Sequence, residues 1–181
     1  SPIYSHWLPL FTVLFGTGCR IGEVMGLRWD DLDYENREIS INHAVIYRVM
    51  ENGKAEFHVS TPKTKAGKRK IPMMEAVYQA FRDEYEAQKE SGFNIEICDG
   101  MSGFVFANRN GGLHNPANIN RAIRRIYEAY NAEEIIKAKK EKRVPILIPH
   151  FSCHHMRHTF CTRLCEVEEN IKVAQDIMGH A

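Results

Sequence analysis

The segment Cys153–Phe160, CHHMRHTF, places three histidines and one arginine within eight residues. His154, Arg157 and His158 are spaced by three and four residues, so a helix brings them to one side. Ser152 directly precedes the segment and is a favoured N-cap residue. Such a helix suits a metal site, a phosphate-binding site, or an ordinary, partly buried helix with hydrogen-bonded histidines.

A metal site on this helix would use His154, His158 and Cys161 as zinc ligands. The segment lacks the glutamate of an HExxH motif, and the cationic side chain of Arg157 would repel a bound metal ion. We therefore expect no metal here. A phosphate site fits the residue types better, because His154 can exchange a proton while Arg157, one turn later, binds phosphate oxygens.

The remaining sequence predicts an α+β fold that is mostly helical and carries one small three-stranded antiparallel sheet. An apolar run over 7–15 predicts a buried helix that ends at Gly16–Gly18. Alternating residues over 37–49 and an Asn-Gly turn predict a hairpin, and 68–73 predicts a third strand. Further helices are predicted over 20–32, 74–91 and 115–130, from 153 and from 170.

Composition restricts the class of protein only broadly. The chain of 181 residues has a net charge of +1, with 44% hydrophobic and 26% charged residues, which are ordinary values for a globular protein. Five cysteines without a CxxC pair favour a reduced compartment over a disulfide scaffold. The apolar run over 7–15 is too short to span a bilayer. We therefore expect a cytoplasmic protein without a membrane segment.

Arg20 follows the sequence GTGC and begins a predicted helix. A helix N-terminus beside glycine-rich backbone offers N–H groups and positive potential, which suit an anion. The alternative is a surface arginine that pairs with Glu23 on the next turn, since arginines are mostly exposed. Position alone leaves both interpretations open.

The segment TPKTKAGKRKIP, over 61–72, concentrates basic residues with no acidic residue among them. The basic residues are Lys63, Lys65, Lys68, Arg69 and Lys70. At a hairpin tip such side chains can enter a duplex groove and neutralise phosphates. The alternative is a sheet edge whose lysines prevent aggregation.

Together these segments resemble the catalytic domain of the tyrosine recombinases, the phage integrase family. GTGCRIGEVMGLRWDDLD is similar to the first box of the family and puts Arg20 at its arginine position. TPKTKAGKRKIPM resembles the hairpin that carries the family's lysine. HHMRHTFCT matches the HxxR box, and DIMGHA matches the final box with His180. The four boxes occur in the family's order, and the similarity is greatest to integrases of conjugative transposons and phages.

The resemblance implies site-specific DNA integration and recombination, by strand cleavage and religation through a 3′-phosphotyrosyl intermediate, without a metal or cofactor. Arg20 and Arg157 would stabilise the charged phosphate in the transition state. His154 would exchange the tyrosine proton, and Lys63 would protonate the leaving 5′-oxygen. His180 would hydrogen-bond a phosphate oxygen. A non-catalytic DNA-binding relative or regulator is the alternative.

The resemblance also implies partners and a domain organisation. Double-stranded DNA at attachment sites is the expected partner, with a homotetramer on DNA for the full-length protein at the nucleoid. The expected DNA contacts are Lys65, Lys68, Arg69, Lys70, Arg121 and Arg124, and Lys65 is also the alternative catalytic lysine. Residues 1–181 are interpreted as the catalytic domain alone, without the family's core-binding and arm-binding domains. The nucleophilic tyrosine is expected beyond Ala181, so this chain by itself is expected to be inactive and a monomer or weak dimer.

Within the opening segment, only His154 and Arg157 are therefore expected to take part in chemistry. His155 is expected to shape the loop or to face solvent. His158, together with Thr159 and Phe160, is expected to support the helix from behind. Glu23 is expected to orient Arg20 or to support the loop that carries it.

Overall fold

The computed structural model describes residues 2–51, 53–62, 67–168 and 170–179. The α-helices in this part of the chain are α1 (Leu8–Thr17), α2 (Ile21–Gly26), α3 (Glu75–Ser91), α4 (Pro116–Glu141), α5 (Cys153–Val167) and α6 (Ile171–Met178). The strands are β1 (Leu32–Asp33), β2 (Glu38–Ile41), β3 (Ala44–Val49), β4 (Ala55–Ser60) and β5 (Arg69–Pro72). Short 3₁₀ helices, Pro2–Trp7 and Trp29–Asp31, precede α1 and β1. The chain is mostly helical with small antiparallel sheets, which confirms the predicted fold class.

Helix α1 lies at the centre of the helical packing, in contact with α3 and α5. Its sequence is almost entirely apolar, and Leu10, Val13 and Leu14 are buried. α3 buries Val77 and Phe81, at the four-residue spacing that predicted this helix. The apolar contacts between these helices fix the position of the loop that follows α1. None of the helices described here is long and apolar enough to cross a membrane.

Gly18 turns the chain from α1 into the loop that leads to α2. Its φ angle is 61°, in the left-handed region that favours glycine. A Cβ atom at this position would lie 2.2 Å from Cδ1 of Phe160, which is far inside contact distance. Phe160 of α5 therefore packs directly on this turn, which agrees with its expected supporting role.

The strands form two antiparallel units in the described residues. β2 lies between β1 and β5 in a three-stranded sheet, and β3 pairs with β4 in a hairpin. The sequence predicted a three-stranded sheet, but with one continuous first strand over 37–49. The structure divides that strand at Asn42 and His43 and pairs its two halves with different partners.

Side-chain contacts explain the division. His43 is buried, and its Nε2 lies 2.6 Å from the carbonyl oxygen of Gly26. Asn42 Nδ2 donates to Asp31 Oδ1 at 3.0 Å. The chain is thereby held against α2, and β3 crosses that helix so closely that a Cβ on Gly22 would lie 2.7 Å from a backbone oxygen of β3.

Backbone and capping contacts fix several local features. Phe104, Val105 and Phe106 are buried, and the Val105 N–H donates to the Leu27 carbonyl at 2.8 Å. Asn115 caps α4 through a hydrogen bond to its first turn. Ser152 is the N-cap residue of α5. Local side-chain chemistry therefore determined where these helices begin.

Candidate functional site

Glu23, in the first turn of α2, accepts hydrogen bonds from Arg20 just before that helix and from Arg69 of β5. The backbone N–H of Arg20 donates to its Oε2 at 2.8 Å, and Arg20 Nη1 donates to its Oε1 at 3.1 Å. Arg69 of β5 donates to the same two oxygens, with Nη1 to Oε1 at 3.1 Å and Nη2 to Oε2 at 3.0 Å. The side chains of Glu23 and Arg69 are 8% and 5% exposed, whereas that of Arg20 is 49% exposed.

Arg157 of α5 joins this group from the other side of the loop. Its side chain is buried, with Nη1 donating to the Gly18 carbonyl at 2.6 Å and Nη2 donating to the Met178 carbonyl at 2.7 Å. Arg69 Nε donates to the neighbouring Ile177 carbonyl at 2.7 Å. Two guanidinium groups therefore bind the carbonyl end of α6, where a helix has unpaired acceptors and negative potential.

Arg20, Glu23, Arg69 and Arg157 are called the arginine cluster below. Burial lowers the pKa of Arg157, and the charges of Arg20 and Arg69 act in the same direction, while the charge of Glu23 opposes them. Burial opposes ionisation of Glu23, but the hydrogen bonds and charges of Arg69 and Arg20 keep the pKa of its carboxyl below the usual value. With three cationic side chains around one carboxylate, the cluster favours an added anion.

Cys19 lies inside the same cluster, 3.8 Å from Arg69 Nη2. Burial raises the pKa of its thiol to about 11, and the charge of Glu23 contributes in the same direction. The charges of Arg69 and Arg157 lower this pKa, but by less than burial and Glu23 raise it. Cys19 is therefore a neutral, packed thiol and not a nucleophile.

In the structure Arg20 pairs with Glu23, as the surface alternative required, and it is also the N-cap residue of α2. The anion-binding interpretation of Arg20 stays a prediction. Glu23 orients Arg20, as expected. The half-exposed guanidinium of Arg20 gives the cluster a positive group that reaches solvent.

His154 lies in the first turn of α5 and is exposed. The structure places His158 beside it, with the two Nε2 atoms 2.8 Å apart and the rings at 89°. The expectation that His158 supports the helix from behind is therefore wrong, because the four-residue spacing turns it to the exposed face of His154. His155 has the expected local role, as its Nδ1 accepts the Ser152 N–H at 3.1 Å.

The predicted DNA contacts separate into exposed and buried residues. Lys68, Lys70, Arg121 and Arg124 are exposed, and two of them also form ion pairs, Lys70 with Glu38 and Arg124 with Glu128. Lys63, Lys65 and His180 lie outside the described residues.

Arg69 is the residue whose position differs most from its prediction. It was expected to contact DNA, but its side chain is buried in the arginine cluster. The strand period gives the reason, because Arg69 lies on the same face of β5 as buried Ile71, while Lys70 between them lies on the opposite, exposed face. Strand alternation across Arg69, Lys70 and Ile71 is therefore the sequence signal for the buried position of Arg69.

The segment that leads to His180 is close to the cluster. A Cβ on Gly179 would lie 2.8 Å from Arg69 Nη1, and the φ angle of Gly179 is 65°. The described residues contain no group of three or more histidine, cysteine or acidic side chains arranged to hold a metal ion.

Comparison with known proteins gives the family. A model of the phage integrase family matches residues 2–181. The chain is 38% identical over 178 residues to the transposase from transposon Tn916 of Enterococcus faecalis, which covers 98% of this chain and 40% of that protein. The transposase from transposon Tn1545 of Streptococcus pneumoniae has the same identity and coverage. The chain therefore spans about two-fifths of the length of these relatives.

Solved structures agree with this assignment. The Tn1549 transposon integrase in complex with circular intermediate DNA matches with a TM-score of 0.82 and 35% identity, over 100% of this chain and 54% of that chain. XerA recombinase matches with a TM-score of 0.63 at 21% identity, over 96% of this chain and 48% of that chain, which shows a shared fold. Four sequence boxes, their convergence on the arginine cluster and these matches lead to one conclusion: the chain belongs to the phage integrase family, the tyrosine recombinases.

Proposed function

We propose that this chain is the catalytic domain of a site-specific recombinase that cleaves and rejoins double-stranded DNA through a 3′-phosphotyrosyl intermediate. The observation that carries the proposal is the arginine cluster, in which Arg20 pairs with Glu23 and Arg157, from a distant part of the chain, binds the Gly18 carbonyl in the loop before Arg20. Solved relatives such as the Tn1549 transposon integrase were determined in complex with DNA. A phosphodiester is the anion that such a cluster would bind in this family.

The cluster would act mainly by stabilising charge. During attack on phosphorus, negative charge builds up on the non-bridging phosphate oxygens. Arg20 and Arg157 would stabilise it, because guanidinium groups match paired oxygens and are already held in place before the reaction. Glu23 and Arg69 would support this arrangement without contacting the phosphate. No metal ion is needed for charge stabilisation in this scheme.

Proton transfers complete the reaction. The hydroxyl oxygen of a tyrosine, supplied by sequence beyond Ala181, would bond to phosphorus while the bond to the 5′-oxygen breaks. His154 would accept the tyrosine proton, and Lys63 or Lys65 would give a proton to the leaving 5′-oxygen. His180 would hydrogen-bond a phosphate oxygen. Attack by the 5′-hydroxyl of another strand reverses these steps, so rejoining consumes no external energy source.

Double-stranded DNA at attachment sites is the partner that this proposal requires. The exposed side chains of Lys68, Lys70, Arg121 and Arg124 would contact its backbone, and their contribution would weaken as salt rises. Arg69 is not included among these DNA contacts, because its guanidinium is buried in the arginine cluster and pairs with Glu23. A tetramer on DNA and a nucleoid location belong to the same proposal.

The direct test measures covalent adducts between the full-length protein and a nicked duplex that carries its attachment site. Arg20→Ala and Arg157→Ala are each expected to slow adduct formation by about 10²-fold or more, because a preorganised donor to the transition state is lost. Adducts are counted on denaturing gels after a time course.

Arg163→Ala is the matched control. Arg163 lies on α5, like Arg157, but its side chain is 78% exposed and pairs only with Glu166 among the contacts described. It is expected to leave the rate unchanged. Adduct formation at the wild-type rate by both Arg20→Ala and Arg157→Ala would overturn the proposal. Specific DNA binding without any adduct from the wild-type protein would favour the non-catalytic DNA-binding alternative.

A further inference from the structure

His154 and His158 form a hydrogen-bonded pair on the exposed face of α5. Their Nε2 atoms are 2.8 Å apart, their ring centroids are 4.3 Å apart, and the ring planes are at 89°. A distance of 2.8 Å is a hydrogen bond, and the perpendicular rings let the N–H of one imidazole meet the lone pair of the other. The pairing therefore requires one protonated and one unprotonated Nε2.

Of the two other histidines on α5, it is His158 and not His155 whose ring forms this hydrogen bond with His154. His155 is also in the first turn of α5, but its Nδ1 is used by the Ser152 N–H at the helix N-cap. Among the described contacts, the ring of His158 has no such role at the helix N-cap, and it contacts His154 one helical turn earlier. The HxxRH spacing thus supplies His154 with a partner from its own helix.

We propose that His158 is a positioning residue for His154. In this arrangement the Nε2–H of His154 donates to Nε2 of His158, which holds the His154 ring in one orientation and one tautomer. The Nδ1 of His154 then carries a lone pair and is the atom that accepts the tyrosine proton. The inference rests on the proposed function, in which His154 is the proton acceptor.

The pair also stabilises the product of proton transfer. When His154 becomes an imidazolium, its Nε2–H becomes a charge-assisted donor, and such hydrogen bonds are stronger than neutral ones. His158 would thus act on His154 as an orienting carboxylate or carbonyl acts on other catalytic and metal-bound histidines. It would not itself touch the DNA or the tyrosine.

The test is a double-mutant cycle in the full-length protein, with adduct formation on the nicked attachment-site duplex as the readout. His154→Ala is expected to slow adduct formation by about 10²-fold, as for loss of a general base. His158→Ala is expected to slow it by about tenfold, as for loss of a residue that orients a histidine. The variant that carries both changes is expected to match His154→Ala, because the second residue acts only through the first.

Two further variants distinguish a role of His158 in orienting His154 from a general effect on folding. His158→Gln keeps an acceptor oxygen within reach and is expected to recover the rate to within about threefold of wild type, whereas His158→Ala does not. Thr162→Ala, an exposed change one turn further along α5, is the control that should have no effect. Alanine at these exposed helix positions does not oppose helix formation, so a fold defect is not expected.

A spectroscopic measurement tests the hydrogen bond itself. In full-length protein labelled with ¹⁵N-histidine, His154 is expected to show one Nε2–H tautomer, and His158→Ala is expected to produce a mixture. If His154→Ala is slow but His158→Ala reacts at the wild-type rate, or if the two effects multiply in the cycle, this inference is wrong and the proposed function stands. If His154→Ala reacts at the wild-type rate, the role of His154 in the proposed function is wrong.

Discussion

The arginine cluster and a second glutamate–arginine contact, on α4, have similar chemistry. They differ in the sequence separation between the residues that they connect. Glu134 of α4 accepts from both Nη atoms of Arg143 and from the Ile146 N–H at 2.9 Å, and these three residues are called the outer clasp. All of its partners lie within 12 residues of Glu134. In the arginine cluster, Glu23 and Arg69 are 46 residues apart, and Arg157 and Gly18 are 139 apart.

Because of this difference, the outer clasp stabilises local structure and the arginine cluster determines how separate elements are positioned. The outer clasp holds the chain after α4 against its own helix. The arginine cluster fixes α2, β5, α5 and the end of α6 relative to one another. A catalytic arrangement drawn from distant boxes depends on the second kind of contact, because local hydrogen bonds cannot set distances between separate elements.

The largest expected effect is on stability, from Glu23→Gln in the arginine cluster. The change leaves the buried Arg69 without its carboxylate, and breaking a buried ion pair in this way costs on the order of 3 kcal/mol. Urea unfolding measures the change in the free energy of unfolding.

Glu128→Gln is the matched control for that experiment. Glu128 is 52% exposed and pairs with the exposed Arg124, so its removal is expected to cost less than about 0.5 kcal/mol. Equal effects of the two changes would show that the arginine cluster is no more important to the fold than a surface ion pair.

A smaller effect is expected from Gly18→Ala, which acts on the backbone that Arg157 binds. The left-handed φ angle and the 2.2 Å approach of Phe160 should together destabilise the protein by about 2 kcal/mol. Gly100→Ala separates the two causes, since Gly100 has a φ of 80° with no atom within 4 Å of its Cβ position, and about 1 kcal/mol is expected there. Equal losses at both glycines would mean that the Phe160 contact contributes nothing.

The smallest effect is expected at the outer clasp and depends on pH. The hydrogen bonds from Arg143, with a smaller contribution from the Ile146 N–H, lower the pKa of Glu134 to about 2. A lowered pKa stabilises the fold fully above the unfolded-state pKa of about 4.3, and this stabilisation is lost as the pH falls towards 2. The difference in melting temperature between wild type and Glu134→Gln should therefore shrink between about pH 4.5 and pH 2. A difference that stays constant over this range would contradict the assignment.

Much of the local structure and the composition of the site followed from sequence patterns. Ser152 identified the start of α5, because an N-cap depends on neighbouring residues alone. Arg20 and Arg157 were identified from their boxes, and in the structure Arg157 binds the Gly18 carbonyl in the loop that leads to Arg20. Arg69 was expected among the DNA contacts, but strand alternation places it with Ile71 on the buried face of β5.

The remaining features depend on partners that periodicity does not identify. The division of the predicted strand at Asn42 and His43 reflects contacts with Asp31 and Gly26, which lie in other elements. The position of His158 could have been found from helical spacing, but the 2.8 Å contact with His154 depends on the orientation of both rings. Such details are determined by packing and not by residue type.

The sequence by itself determined that this chain is a mostly helical member of the phage integrase family, with an arginine in one box and a histidine and arginine in another. It could do so because residue types, their spacing and their order along the chain carry that information. Only the tertiary structure decided that Glu23 is shared by Arg20 and Arg69, and that two guanidiniums bind the end of α6. The physical reason is that a buried charge needs a partner at hydrogen-bond distance, and the fold alone determines which distant residue provides it.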